Sequence, residues 1–100
     1  MMEVDDALPE AALIKQGMRD LAAGRTESIE SLLIQIGAPR LRRIGFDVPD
    51  DDNPEFPEDR LYAKLAEDDS DTAHDRYNAL IRRLVSFESA AERLAFPALQ

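Results

Sequence analysis

Two glutamates near the end of the sequence have the spacing that comes closest to a chemical site. Glu88 and Glu92 are four residues apart, so on a helix both carboxylates project from one side. Such a pair could act in acid/base catalysis or bind a metal ion. Helical metal sites take Glu and His ligands from several helices, and His74 is the only histidine of this chain. We therefore expect Glu88 either to pair with an arginine of residues 39–43 or to be exposed, and we predict no metal ligand.

The other candidates for catalysis are isolated in the sequence. His74 lies between Asp71 and Asp75 at the start of a predicted helix, where a solvated side chain is expected. The glycines are scattered and form no phosphate-binding loop. The sequence therefore predicts neither an enzyme nor a cofactor-binding protein.

A run of acidic residues lies in the middle of the chain. Residues 46–75 contain twelve acidic and two basic residues, so the net charge of −9 is concentrated there. The run itself comprises Asp50, Asp51, Asp52, Asn53 and Glu55. It lacks the alternating acids, central glycine and final glutamate of an EF-hand loop. We predict a solvated acidic loop, or a surface that attracts a basic protein.

Residues 28–45 are similar to a helix-turn-helix motif. Apolar residues precede Gly37, and three arginines follow it: Arg40, Arg42 and Arg43. The resemblance implies DNA binding, in which arginines contact phosphate groups. Residues 39–44 alone would form the second helix, and the net charge of −9 opposes DNA binding. Nucleic acid is therefore not the expected partner, and the arginines are predicted to form an exposed basic edge.

Helical periodicity and helix end signals divide the chain into four or five helices. The predicted segments are 9–23, 27–36, 39–44, 57–67 and 72–96, with Thr26 as an N-cap and Gly24, Gly37 and Gly45 as ends. Gly17 lies in the middle of the first predicted helix, where glycine is less favourable than alanine. A close helix crossing that requires glycine, and a helix that simply tolerates it, are equally good explanations. Residues 46–57, rich in proline and aspartate, predict an extended acidic loop. No segment has the alternation typical of a strand.

The segment 72–96 is the most regular part of the sequence. Its apolar residues recur every three or four positions, and Thr72 with Asp75 has the form of a capping box. The apolar arc spans nearly half of the helix circumference and comprises Tyr77, Leu80, Ile81, Leu84, Val85, Phe87 and Ala91. A two-stranded coiled coil has a narrower seam. The arc therefore predicts a helix that packs against several neighbours in the chain, or one shared between the core and a dimer interface.

Length and composition place these helices in one domain, residues 1–100. A chain of 100 residues with 44% hydrophobic content can bury one core, and two domains would each be too small. The sequence has no cysteine, no secretory signal and no long apolar segment. We therefore expect a cytoplasmic protein that does not enter a membrane.

Together these features predict an all-α, compact bundle of four to five helices, with the long C-terminal helix at its centre. The expected function is a small non-enzymatic protein-interaction module, either a homo-oligomer or an accessory or neutralising partner of another protein, such as a basic one. The predicted interaction residues are Tyr77, Leu84, Phe87 and Glu88, with Arg40, Arg42 and Arg43 as a basic edge and Asp50, Asp51 and Asp52 as an acidic edge. The alternative is a helix-turn-helix-like DNA-binding regulator that uses residues 28–45.

Overall fold

The regular structure of the chain is entirely helical in the residues that the computed structural model describes, 4–50 and 53–96. These residues form four helices: α1 (Ala11–Ala22), α2 (Ile29–Ile44), α3 (Pro57–Asp68) and α4 (Ala73–Ala95). The prediction of an all-α bundle of four to five helices is confirmed in this form. Asp51 and Asp52 of the predicted acidic edge lie outside the described residues.

The second helix is longer than predicted, because α2 runs without a break through Gly37 and Pro39. The predicted division into 27–36 and 39–44 is therefore wrong. Its N-cap is Ser28 and not Thr26, since the Ser28 hydroxyl accepts a hydrogen bond from the Ser31 N–H at 3.1 Å. The turn that a helix-turn-helix motif needs does not form in residues 28–45.

Two glycines allow α2 to approach its neighbours closely. A Cβ atom at Gly37 would lie 2.9 Å from Leu84 Cδ1 of α4. At Gly17 of α1 it would lie 2.5 Å from the Glu30 carbonyl oxygen and 2.3 Å from Ile34 Cγ1. A side chain at Gly17 would push α1 and α2 apart because it would meet backbone, whereas one at Gly37 would displace the ends of the Leu84 and Glu88 side chains. The close crossing that was one explanation of Gly17 is confirmed, whereas Gly37 marks a second crossing and not a helix end.

The centre of the bundle is α2 and not α4, which corrects the prediction made from the regularity of the long helix. Eight residues of α2 are buried, against five of α4, and both helices contact the other three. Within the described residues, α1 and α3 do not contact each other. The core comprises residues of all four helices together with Phe46 and Val48.

Helix α4 begins and ends where the sequence predicts, although its N-cap residue does not make the predicted hydrogen bond. Thr72 precedes the first helical residue, but its side chain makes no capping hydrogen bond, so the predicted capping box is absent. Phe96 is the C-cap, as expected for the residue before a proline.

The predicted acidic loop has no regular structure in its described residues, but two apolar residues in its first part are buried. Phe46 and Val48 are buried in the core, and the Phe46 ring centroid lies 5.7 Å from that of Phe87. The described acidic residues Asp47, Asp50 and Glu55 are exposed. The loop is therefore anchored to the bundle by alternate apolar residues.

Candidate functional site

The apolar arc of α4 divides into a covered part and an uncovered part. Leu84, Phe87 and Ala91 are buried, and they contact the core formed with α2. Toward one edge of the arc the burial decreases, because Ile81 is only half-buried and Val85 is 44% exposed. The neighbouring helices of this chain therefore cover less of α4 than its apolar pattern provides.

Beside the covered part, Arg40 joins α2 to the two glutamates of α4. Its Nε and Nη2 atoms donate hydrogen bonds to the two carboxylate oxygens of Glu92, at 3.1 and 2.5 Å. Its Nη1 atom lies 3.5 Å from Glu88 Oε1. Glu88 is only 4% exposed, so a partner for its charge is required. The predicted ion pair between Glu88 and an arginine of residues 39–43 is confirmed, and we call these three residues the Arg40 cluster.

The two carboxylates of the Arg40 cluster differ in their protonation equilibria. Burial raises the pKa of Glu88, and the charge of Arg40 only partly offsets this effect. The hydrogen bonds from Arg40 lower the pKa of Glu92. Because both carboxylates share one guanidinium, the cluster connects α2 to α4.

The predicted basic and acidic edges are not separate surfaces. Arg42 donates hydrogen bonds to the Val48 carbonyl at 2.9 Å and to Asp50 Oδ1 at 2.9 Å, so it holds the start of the acidic loop against α2. Arg40 is occupied in its cluster, and Arg43 is exposed. The predicted basic edge is therefore exposed at Arg42 and Arg43, whereas Arg40 is half-buried in its cluster.

The uncovered edge of α4 continues onto α3. Tyr77, Ile81 and Val85 follow one another at intervals of one helical turn. The Tyr62 ring of α3 contacts Tyr77 with a centroid distance of 5.8 Å, and Tyr62 is 40% exposed. These four residues form one row of partly exposed apolar side chains, which we call the α3–α4 strip.

The two borders of the α3–α4 strip carry opposite charges. On the α3 side, Glu58 and Asp59 are exposed, and both lie close enough to Tyr77 to raise the pKa of its hydroxyl together with the larger effect of burial. On the other side, Arg82 lies about 60° further around α4 than Val85. Arg82 is exposed and forms no ion pair with another described residue. The strip is therefore an apolar row between one acidic and one basic border.

The sequence predictions identified part of this surface. Tyr77 belongs to the strip, whereas Leu84 and Phe87 are buried and Glu88 is in the Arg40 cluster, so these three are not available to a partner. Tyr62 was not among the predicted interaction residues. Tyr62 could have been found from the sequence, because it places an aromatic ring at the edge of the apolar side of α3.

Two buried polar residues that the sequence predictions did not single out also have structural partners. Asp20 accepts a hydrogen bond from the Ser28 hydroxyl at 2.6 Å, which joins the end of α1 to the start of α2. Arg60 donates to Gln35 Oε1 at 3.1 Å and to the Thr26 carbonyl at 3.2 Å, which joins α3 to α2. Of these contacts, those of Arg60 hold α3, which carries Tyr62 of the strip, against α2.

The remaining predicted candidates for chemistry do not assemble into a site in the described part of the chain. His74 is exposed, and its Nε2 atom lies 3.2 Å from the Asn78 side-chain amide. No group of three or more His, Cys, Asp or Glu residues in positions 4–50 and 53–96 has an arrangement that could hold a metal ion.

Comparison with known proteins adds no family to these observations. No protein-family model matches the chain, and no curated protein or solved structure matches it either. None of the helices in the described residues combines the length and the apolar character needed to cross a membrane.

Proposed function

We propose that this protein is a small non-enzymatic interaction module that binds another folded protein through the α3–α4 strip. The partner is a second copy of the chain or a basic protein. The observation that carries the proposal is the exposure of Val85, which belongs to the same apolar arc as the buried residues Leu84 and Phe87. An apolar arc that extends beyond the intramolecular core gains stability when a second surface covers it.

The charged residues at the borders of the strip also favour it as the binding surface. Glu58 and Asp59 lie at the border of the strip, where they attract the basic residues of a partner and exclude strongly acidic surfaces. Arg82 provides one cationic group at the opposite border, so a partner with both signs of charge fits best.

The experiment compares Val85→Glu with Leu94→Glu. Both substitutions replace an exposed apolar residue of α4 by a glutamate, but Leu94 lies about 180° around the helix from Val85 and faces away from the strip. Self-association is measured by sedimentation of purified protein over a range of concentrations. Binding to other proteins is measured by quantitative capture from cells that express the chain naturally.

We expect Val85→Glu to abolish the association that the wild-type protein shows in one of these measurements, while Leu94→Glu retains it. The proposal is contradicted if the wild-type protein neither self-associates nor captures a protein. Equal binding by the two variants would also contradict it.

A further inference from the structure

We infer that the partner of the α3–α4 strip is a second copy of this chain, related by a two-fold axis that runs along the strip. This inference rests on the proposed function, because it specifies the partner of the same surface. The observation that supports this inference is the placement of opposite charges on the two borders, with Glu58 and Asp59 on α3 and Arg82 on α4. A surface of this kind is complementary to itself.

The direction of the two-fold axis decides which borders meet. Rotation about an axis along the strip exchanges its left and right sides, so the acidic border of one copy faces Arg82 of the other. Rotation about an axis across the strip brings acidic border against acidic border and Arg82 against Arg82. Like charges in contact are unfavourable, so the first arrangement is selected.

Helix geometry is compatible with this arrangement. Tyr77, Ile81 and Val85 form a ridge of residues four positions apart on α4. Two such ridges that lie alongside each other place their helices at an angle of about −50°, the most common class of helix packing. In a two-fold dimer the ridges then lie along the axis and the two α4 helices point in similar directions.

The size of the strip sets the expected strength of the dimer. Four partly exposed side chains per copy provide a small interface, and the chain carries a net charge of −9. Interfaces below about 1,200 Å² of total buried area are typically weak or transient. We therefore expect a reversible monomer–dimer equilibrium in the purified protein.

The test uses two charge reversals, Asp59→Arg and Arg82→Glu. Each variant alone replaces two attractive contacts of the symmetric dimer by repulsive ones, so we expect its dimerisation to weaken by about tenfold. A mixture of the two variants restores opposite charges across both contacts. It should therefore form a heterodimer within about threefold of the wild-type affinity, measured by sedimentation or native mass spectrometry at low salt.

The matched controls are Lys64→Glu and Glu67→Arg, which change the net charge equally at exposed positions of α3 away from the strip. We expect each control to dimerise within about threefold of the wild-type protein, which separates local pairing from overall charge. Circular dichroism of all four variants checks that the helices are intact.

Three results would overturn the inference. The wild-type protein could remain monomeric at every concentration, the single reversals could dimerise normally, or their mixture could bind no better than each alone. If only self-association fails, and a different protein is captured in a manner sensitive to Val85→Glu, the proposed function stands and the second copy is excluded as its partner.

Discussion

The two sides of the α4 arc differ in what covers them. On one side Leu84, Phe87 and Ala91 are buried, and a buried glutamate is accompanied by an arginine from α2. On the other side Ile81 and Val85 have the same helical spacing but are exposed in part, between borders of opposite charge. An apolar pattern thus shows how much of a helix favours burial, while only the structure shows how much the chain itself buries.

The largest expected difference between the two sides is in core packing. Phe87→Ala removes a fully buried ring that contacts Phe46, so we expect a loss of about 3–5 kcal/mol in the free energy of unfolding. Val85→Ala should cost less than about 1 kcal/mol, because the side chain is largely exposed in the monomer. Urea denaturation at a protein concentration below that of dimerisation measures both values. Equal losses would contradict the division of the arc.

The Arg40 cluster provides the next largest test. Arg40→Met leaves Glu88 buried without its partner, so we expect a loss of about 3 kcal/mol at neutral pH. Adding Glu88→Gln to this variant removes the unpaired charge and should recover part of the stability. Both variants are measured by the same denaturation. A double variant no more stable than Arg40→Met would contradict the burial of an unpaired Glu88 charge.

The pH dependence of stability should distinguish the two glutamates of the cluster. Burial raises the pKa of Glu88 above its ordinary value of 4.5, so the native protein binds this proton more tightly than the unfolded chain. The stability that wild-type Glu88 provides relative to Glu88→Gln is therefore greatest at low pH and decreases as the pH rises through the raised pKa.

Glu92 should show the opposite slope, because Arg40 lowers its pKa below 4.5. Its contribution relative to Glu92→Gln is present above about pH 5 and is lost as the pH falls through the lowered pKa. Thermal unfolding of both variants and the wild type from acidic to neutral pH measures the two slopes. Slopes of the same sign would contradict the assigned roles.

The smallest of these effects is expected for Arg42, which holds the start of the acidic loop against α2. Arg42→Ala removes the hydrogen bonds to the Val48 and Asp50 oxygens, which are near the surface. We expect a loss of about 1 kcal/mol in the free energy of unfolding and faster amide exchange in residues 46–50. Unchanged exchange at Val48 would show that the buried side chains alone hold this segment.

The local sequence pattern was sufficient to predict those helices whose ends are marked by capping residues, glycine or proline. The segment predicted at 72–96 corresponds to α4 at Ala73–Ala95, because its apolar period is long and a proline follows it. The pairing of Glu88 was also predictable, since plotting its position placed a charge inside an apolar arc. Neither inference needed information about distant parts of the chain.

The features that local pattern missed depend on contacts between distant residues. Gly37 was interpreted as a helix end, yet it lies inside α2, where the absence of a Cβ atom makes room for the Leu84 and Glu88 side chains. Phe46 and Val48 were assigned to a solvated loop because acids and prolines surround them, but the bundle has space for both. The strip was only partly predictable, because exposure of Val85 depends on how far α2 and α3 extend over α4.

The most direct test of the claim that a second copy of the chain binds the uncovered edge of α4 is methyl NMR over a concentration series. Ile81 and Val85 belong to the strip, while Leu94 on another side of α4 is 54% exposed and serves as an internal control. We predict that the methyl resonances of Ile81 and Val85 shift with concentration and that those of Leu94 do not. Resonances that do not change with concentration, shifts confined to Leu94, or equal shifts at all three residues would contradict the assignment of the strip as the interface.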